Sequence, residues 1–274
     1  MDITPKEYND FQSILRNSCG IEVGENKKYL VESRLTGVLQ EFKLESFAIL
    51  LQKIKAPSAV SRTLMSAVID AMTTNETFWF RDDSQFLALQ SEVLPELFLK
   101  TRGGVKIWSA ACSSGQEPYT ISICIEEMAR AKSGLNNVQI VGTDISETVL
   151  KSARSATYSD MAIKRGMNSH LCARYFHPVD GGFQLKPEVM RRVRFQHLNL
   201  LQSFAAMGSF NVIFCRNVLI YFSDEAKRKI LQRLIDALEP GGYLFLSSTE
   251  SVPSDLVGIE PVRGKRARYF KKIT

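Results

Sequence analysis

No apolar run in the sequence approaches the roughly 18 residues that a membrane-spanning helix needs. The longest runs, such as Phe47–Leu51 and Val212–Cys215, have the length of core segments. The first seven residues are polar and mixed in charge, which is unlike a secretory signal. We therefore expect a cytoplasmic location and no insertion into a membrane.

Cysteine and histidine are scarce, with 5 Cys and 3 His in 274 residues. The cysteines are odd in number and form no CxxC pair, which argues against a disulfide framework and a zinc cluster. His170, His177 and His197 also lack the spacing of metal ligands. The sequence therefore predicts no bound metal.

Glycine is sparse where a dinucleotide-binding protein would need it. The loop after the first expected strand, Ser109-Ala110-Ala111-Cys112-Ser113-Ser114-Gly115-Gln116-Glu117-Pro118, contains one glycine and no GxGxxG pattern. Its small residues let a ligand approach the backbone, whereas Glu117 would repel a phosphate and attract an ammonium or sulfonium group. The loop favours a small cationic nucleoside cofactor and leaves an NAD-dependent enzyme as a distant alternative.

The net charge of +6 is unevenly distributed. Residues 1–74 hold nine Lys/Arg and nine Asp/Glu, so the whole surplus lies in the remaining residues. Two clusters carry much of it: Arg191, Arg192 and Arg194, and then Arg263, Lys265, Arg266, Arg268, Lys271 and Lys272. Such clusters can steer a nucleic acid or an acidic protein surface, and an ordinary solvated face explains each of them equally well.

Two kinds of periodicity divide the chain. Up to about residue 70, apolar residues such as Tyr8, Phe11 and Leu15 recur at helical spacing and predict an all-α domain over residues 1–74. From about residue 104, strands alternate with helices and predict an open, largely parallel α/β sheet over residues 75–274. The expected strands are 105–108, 138–142, 211–215, 243–247 and 268–271, and the expected helices are 117–130, 146–153 and 224–238.

Residues 157–196 interrupt this alternation. Short apolar pieces flank Gly181-Gly182, and Val193-Arg194-Phe195 lies near the end of the segment. We interpret the segment as a small inserted antiparallel β unit at the edge of the sheet.

The helix over 224–238 is expected to have Ser223 as its N-cap and to stop at Pro240-Gly241-Gly242.

Two segments carry polar side chains that suit a ligand site, one at an expected strand end and one between the helical domain and the sheet. Asp144 closes the second strand, where an acid suits the hydroxyls of a ribose, although it could instead cap the following helix. Residues 74–82 combine polar groups with three consecutive aromatics, unlike a flexible linker, and the planar fork of Arg81 could pair with a carboxylate.

A further strand end delivers Arg216, Asn217 and Tyr221 to the same edge of the sheet. Helix capping could explain Asn217, and core packing could explain Tyr221. Each of these signals is weak when taken alone.

Together the segments resemble the CheR-type chemotaxis receptor methyltransferases, and the resemblance covers essentially the whole chain. It is carried by Thr74-Asn75-Glu76-Thr77, Phe80-Arg81, Ser109-Ala110-Ala111-Cys112, Gly115-Gln116-Glu117-Pro118-Tyr119, Gly142-Thr143-Asp144-Ile145-Ser146, Asn199-Leu200 and Cys215-Arg216-Asn217-Val218-Leu219-Ile220-Tyr221-Phe222.

The resemblance implies an all-α domain joined to a Rossmann-like methyltransferase domain that carries a β subdomain. It implies S-adenosylmethionine as cofactor, S-adenosylhomocysteine as product, and glutamate side chains on the cytoplasmic domains of chemotaxis receptors as substrate. Arg81 and Tyr221 would flank the transferred methyl. The implied cofactor contacts are Asn75, Thr77, Arg81, Glu117, Asp144, Asn199, Leu200, Arg216 and Asn217.

Some members of that family also bind a peptide at a receptor's C-terminus through the β subdomain, where this sequence has a short turn over residues 177–182.

The proposed chemistry needs no general base, because a glutamate carboxylate is already ionised near pH 7. One alternative is a nucleic-acid methyltransferase, suggested by a pI near 9.0, although the Asn/Asp-Pro-Pro-aromatic motif is missing. A second is a non-catalytic S-adenosylmethionine sensor.

Overall fold

The computed structural model describes residues 2–101, 104–131 and 137–273. The N-terminal part is helical, as expected, and consists of α1 (Pro5–Cys19), α2 (Lys28–Glu41), α3 (Phe47–Lys55) and α4 (Ala59–Met72). The hydroxyls of Thr4, Ser46 and Ser58 accept main-chain N–H groups and so begin α1, α3 and α4. The apolar faces of the four helices enclose a core of their own.

A helical connector follows and leads into the sheet. It comprises α5 (Asp83–Ala88), a π-helical turn (Leu89–Val93) and α6 (Leu94–Lys100). The remaining helices are α7 (Gln116–Ala131), α8 (Glu147–Ser155), α9 (Asp160–Lys164), α10 (Ser169–Tyr175), α11 (Pro187–Met190) and α12 (Asp224–Asp236). Ser223 is the N-cap of α12, as predicted, since its side chain accepts the N–H of Ala226.

Ten strands, counted over the described residues, form two sheets. They are β1 (Val105–Ala110), β2 (Val138–Asp144), β3 (Thr157–Tyr158), β4 (Phe176–Val179), β5 (Gly182–Leu185), β6 (Val193–His197), β7 (Phe210–Cys215), β8 (Leu238–Phe245), β9 (Ile259–Arg263) and β10 (Arg268–Lys272). The main sheet has the order β6-β2-β1-β7-β8-β10-β9, and β10 runs antiparallel to both of its neighbours, β8 and β9. The small sheet has the order β3-β5-β4. The predicted fold class is confirmed: an all-α domain, an α/β sheet and a small antiparallel sheet.

Three details differ from the sequence-based expectations. The strand at Val193–His197 pairs in parallel with β2, so it belongs to the main sheet and not to the inserted unit. Helix α12 ends at Asp236, and Pro240-Gly241-Gly242 lies within β8 instead of stopping the helix. An irregular register, in which Leu238 pairs with Phe210 and Tyr243 with Val212, accommodates that turn-like sequence inside a strand. Strand β9 was not predicted.

The order of strands places the ligand crevice. Strands β1 and β7 are neighbours in the sheet, and successive connections from them run to opposite sides, so their carboxyl ends flank a topological switch point. In the part of the chain that the structure describes, no helix is long and apolar enough to cross a membrane. The same residues contain no group of three or more His, Cys, Asp or Glu that could hold a metal ion.

Candidate active site

A cavity of about 1040 Å³, open to solvent, lies between the helical domain and the carboxyl edge of the main sheet. The structure brings all ten of the predicted site residues to its walls. These residues are Asn75, Thr77, Arg81, Glu117, Asp144, Asn199, Leu200, Arg216, Asn217 and Tyr221. Their convergence from five separate segments is a finding of the structure, and the role of each one stays a prediction.

Unusual backbone conformations cluster at this cavity. Ala111 and Ser113, which follow β1, have φ values of 56° and 50°, and Asn217, which follows β7, has 58°. Phe80 and Asp82 in the connecting segment also have positive φ. Non-glycine residues seldom adopt this left-handed conformation, which costs free energy and tends to occur at functional sites. Ser113 in this conformation donates its N–H to Asp144 and its hydroxyl to the carbonyl of Asn75.

Asp144 is buried at the end of β2 and is held by backbone donors. Its carboxylate accepts the N–H of Ser113 at 2.8 Å and the N–H of Ser146 at 2.9 Å. Burial raises the pKa of Asp144, and the hydrogen bonds from Ser146 and Ser113 partly oppose that rise. Ser146 is the cap of α8, since its hydroxyl accepts the N–H of Val149. Asp144 therefore has acceptor capacity left for a ligand hydroxyl.

Arg216 is the buried centre of a charge network, which we call the strand-end network (Arg216, Glu117, Asp82 and Ser109). Its guanidinium donates to Glu117 at 2.8 Å and to Asp82 at 2.9 Å, and its side chain is only 2% exposed. It also donates to the main-chain carbonyl of Arg81 at 2.6 Å, and Ser109 donates to the other oxygen of Glu117 at 2.7 Å. The network fixes both carboxylates.

The charged side chains at the cavity suit a cationic ligand. Three carboxylates, from Glu76, Glu117 and Asp144, and two guanidinium groups, from Arg81 and Arg216, line the cavity, so its walls carry a formal excess of negative charge. The Nε of Arg216 is buried and has no hydrogen-bond partner among the described residues. Because buried donors are normally satisfied, this atom is a candidate contact for a bound ligand.

Arg81 differs from Arg216 in its freedom. Its side chain is partly exposed and donates one hydrogen bond, at 3.2 Å, to the carbonyl of Glu76 within the described residues. The guanidinium lies 5.3 Å from the centre of the Phe78 ring, where a cation–π attraction supports it. Arg165 of the inserted unit lies 5.5 Å from the same ring and pairs with Glu76. The inserted unit therefore supports the segment that carries Arg81.

The predicted asparagines mainly hold the walls together. The Asn199 amide donates to the carbonyl of Ser18 at the end of α1, at 2.7 Å, and accepts the N–H of Leu201. The main-chain carbonyl of Asn75 accepts the hydroxyl of Ser113 at 2.9 Å. These contacts link the helical domain to the sheet edge, a function that sequence reasoning did not assign to these residues.

Sequence reasoning missed Glu250, which organises the loop after β7. Its carboxylate accepts the N–H groups of Asn217, Val218 and Leu219 at 2.8, 3.1 and 2.9 Å, and also the hydroxyl of Ser247 at 2.7 Å. These amides begin the 3₁₀ turn Leu219–Tyr221, so the acid caps it and sets the position of Tyr221. No sequence signal joins Glu250 to that turn, because about thirty residues separate them.

The helical domain forms one wall of the cavity. Cys19, Ile21 and Met72 line it, and the carbonyl of Tyr221 accepts the N–H of Glu22 at 3.0 Å. Arg34 of α2 donates to the carbonyl of Met72 at 2.6 Å and to the hydroxyl of Thr74 at 3.1 Å. These bonds fix the chain where it passes from the helical domain into the site.

Comparison with known proteins agrees with this geometry. A family model described as "CheR methyltransferase, all-alpha domain" matches residues 6–73, and one described as "CheR methyltransferase, SAM binding domain" matches residues 75–266. The chain is 45% identical over 271 residues to a chemotaxis protein methyltransferase of Vibrio parahaemolyticus, covering 98% of each chain. It is also 45% identical to chemotaxis protein methyltransferase Cher2 of Pseudomonas putida, over 90% of each chain.

An open α/β sheet, an acid after its second strand and the matching domain define an S-adenosylmethionine-dependent methyltransferase. Both domain models match in order and together span most of the chain. The chain belongs to the CheR methyltransferase family.

Proposed function

We propose that this enzyme transfers a methyl group from S-adenosylmethionine to glutamate side-chain carboxylates of chemotaxis receptors, giving glutamate methyl esters and S-adenosylhomocysteine. The observation that carries the proposal is the juxtaposition, around one cavity, of a buried acidic floor and a half-exposed arginine, Arg81. The floor suits a cationic nucleoside, and the arginine suits an anionic side chain that enters from solvent.

The residues present fit S-adenosylmethionine, which supplies an electrophilic methyl group when it is bound. Asp144 has acceptor positions for ribose hydroxyls, and the excess of carboxylates over guanidinium groups among the lining residues suits the ammonium and sulfonium groups. The unpaired Nε of Arg216 is available to the carboxylate of the cofactor's amino-acid part. Asn75, Thr77, Asn199, Leu200 and Asn217 complete the proposed contacts as wall residues.

The chain's contribution to the reaction is mainly orientation. Arg81 holds one oxygen of the substrate carboxylate so that the other faces the methyl group, and Tyr221 limits the space around that position. Holding the reacting atoms in line can account for a large part of a rate enhancement. Arg81 must not pair too tightly, because a tight ion pair lowers the nucleophilicity of the oxygen. A partly exposed guanidinium with one 3.2 Å bond to the protein meets that requirement.

The small sheet is the proposed place for a receptor's C-terminal peptide. Strand β4 is one of its edges, and a peptide could add to such an edge through main-chain hydrogen bonds. The turn between β4 and β5 spans only Asp180 and Gly181, so little of it extends beyond the strands to hold a peptide. Titration with receptor C-terminal peptides tests this part separately from catalysis.

The test of the proposed function is transfer of a labelled methyl group from S-adenosylmethionine to purified receptor cytoplasmic domains, followed by alkaline treatment. Label that is released as methanol identifies carboxyl esters and supports the proposal. S-adenosylhomocysteine binding without transfer to any receptor would instead indicate a sensor. Base-stable label on added RNA or DNA would indicate a nucleic-acid methyltransferase. A receptor domain with its target glutamates changed to alanine is the control.

A further inference from the structure

The connection between β9 and β10 carries four exposed basic residues, Arg263, Lys265, Arg266 and Arg268, which we call the cationic hairpin. None of the four forms an ion pair within the described residues. The other two members of the C-terminal cluster differ. Lys271 pairs with Glu96, and Lys272 donates to the carbonyls of Asp236 and Leu238. The cationic hairpin is thus the unpaired part of the C-terminal cluster.

The hairpin brings like charges directly together. Arg263 and Arg268 are cross-strand partners in the register of β9 and β10. Like charges directly opposite each other on neighbouring strands destabilise a sheet. A solvated face with no further role would gain stability from an acid at either position. The fold instead keeps a repulsive pair, which is expected where an anionic partner supplies the missing charge.

The cationic hairpin has a fixed frame. The N–H of Gly264 donates to the carbonyl of Ala267 at 3.0 Å, and the N–H of Lys265 donates to Glu92 at 3.1 Å. The hydroxyl of Tyr269 also lies 3.4 Å from Glu92. Glu92 belongs to the π-helical turn of the connector and holds main-chain and tyrosine donors, not the four basic side chains. The charges are therefore presented from a turn whose backbone is held on both sides.

The hairpin lies at the carboxyl edge of the main sheet, the same edge that borders the cavity. Strand β10 runs antiparallel to β8, with Phe270 opposite Leu244, so Arg268 at the start of β10 lies beyond the carboxyl end of β8. Two strand spacings separate β10 from β7, which corresponds to about 10 Å along the sheet. A span of about 10 Å is covered by three extended residues or seven helical ones.

We propose that the cationic hairpin is a docking surface for acidic residues that flank the target glutamate on the receptor, an inference that rests on the proposed function above. The chemistry favours a protein partner whose carboxylates lie a few residues from the methylated side chain. Two of the four cations are opposed arginines, whose planar forks match carboxylates. Docking here would raise the local concentration of the substrate at the cavity and leave the cofactor untouched.

The test uses the full-length enzyme with charge reversals that lie outside the cavity. In the K265E/R266E variant, KM for a receptor cytoplasmic fragment should rise about tenfold at low salt, while kcat and S-adenosylhomocysteine affinity stay unchanged. The dependence of kcat/KM on salt should also become weaker. The K6E/R62E variant is the matched control. Both residues lie at the ends of α1 and α4 that are remote from Cys19 and Met72 at the cavity, and the charge change is the same.

A single change separates docking from a structural effect. R268E replaces a repulsive cross-strand pair with an attractive one, so Tm should stay the same or rise while KM for the receptor rises. Unchanged KM and unchanged salt dependence in K265E/R266E would overturn the proposal even if the wild type forms methyl esters. Loss of RNA or DNA binding with unchanged receptor KM would also overturn it in favour of a nucleic-acid surface.

A wild type that transfers no methyl group to the receptor would contradict the proposed function itself. Direct titration of the receptor fragment then decides the docking proposal. Binding that K265E/R266E weakens and K6E/R62E retains supports the docking surface, and equal binding by both variants rejects it.

Discussion

Two arginines line the same cavity and are held in opposite ways. Arg216 in the strand-end network is 2% exposed and pairs with two carboxylates, whereas Arg81 in the connecting segment is partly exposed and has one long hydrogen bond. A buried charge with all its neighbours fixed can organise a site but cannot follow a substrate. A charged group at the rim that is supported by an aromatic ring can follow a substrate. Residue type alone therefore does not assign the role of an arginine in this cavity.

The largest expected effect is on the strand-end network. R216M should lower the free energy of unfolding by about 3–5 kcal/mol, because it leaves two carboxylates near a buried site without their partner. Denaturant titration measures it. The matched control is R228M at the exposed Arg228–Asp255 pair, which should cost less than about 1 kcal/mol. A loss of similar size in both variants would remove the distinction between buried and exposed arginines.

Arg81 should show the reverse behaviour. R81A should change the free energy of unfolding by less than about 0.5 kcal/mol. Its turnover should fall about 100-fold, because a misplaced carboxylate loses its alignment with the methyl group. Single-turnover methyl transfer and S-adenosylhomocysteine binding are measured together, with R81K as the variant that keeps charge without the planar fork. Near-normal turnover with normal cofactor binding would show that Arg81 does not orient the substrate.

Glu250 resembles Arg216 in that several hydrogen bonds to fixed groups hold its charged end. E250Q should destabilise the enzyme by about 2 kcal/mol. Both carboxylate oxygens of Glu250 accept main-chain N–H groups, and in the glutamine variant an NH₂ group, which is itself a donor, must replace one of them. Turnover should fall as Tyr221 loses its fixed position. E239Q, at an exposed acid of β8, is the control and should leave both quantities unchanged. Stability equal to that of the wild type would mean that the loop holds its shape without Glu250.

The smallest expected effect concerns pH. Burial raises the pKa of Asp144, so its charge is lost at a higher pH than that of an ordinary aspartate. Above its folded pKa the ionised carboxylate costs folding stability, and this cost is relieved as the pH falls through that pKa. Folding stability thus gains from protonation of Asp144, whereas affinity for S-adenosylhomocysteine should fall. The expected fall is a few-fold between about pH 7 and pH 4, because a neutral acid accepts fewer hydrogen bonds than a carboxylate.

Calorimetric titration measures the pH effect, and D144N should abolish the dependence. An affinity that stays flat across this range in the wild type would argue against a ribose contact by an ionised Asp144.

Local patterns predicted much of the fold. Helical spacing identified the N-terminal domain, and Ser223 marked the start of α12 correctly. The errors arose where pairing between distant segments overrides local preference. Pro240-Gly241-Gly242 is typical of a helix stop, yet the register with β7 places it inside β8. The sequence pattern placed Val193–His197 in the inserted unit, because the strand with which it pairs, β2, lies about fifty residues earlier in the chain.

The candidate site shows the same division. Strand-end position and residue type nominated Asp144 and Arg216 from the sequence, and the mixture of polar and aromatic residues over 74–82 singled out Arg81. The sequence could not show that Arg216 binds both Glu117 and Asp82, that Glu250 caps the turn before Tyr221, or that Asn199 joins α1 to the sheet edge. Composition and periodicity determined which elements form and which side chains reach the sheet edge, because those depend on neighbours a few residues away. Only the tertiary structure decided which charges are buried together, because burial depends on segments that meet only when the chain has folded.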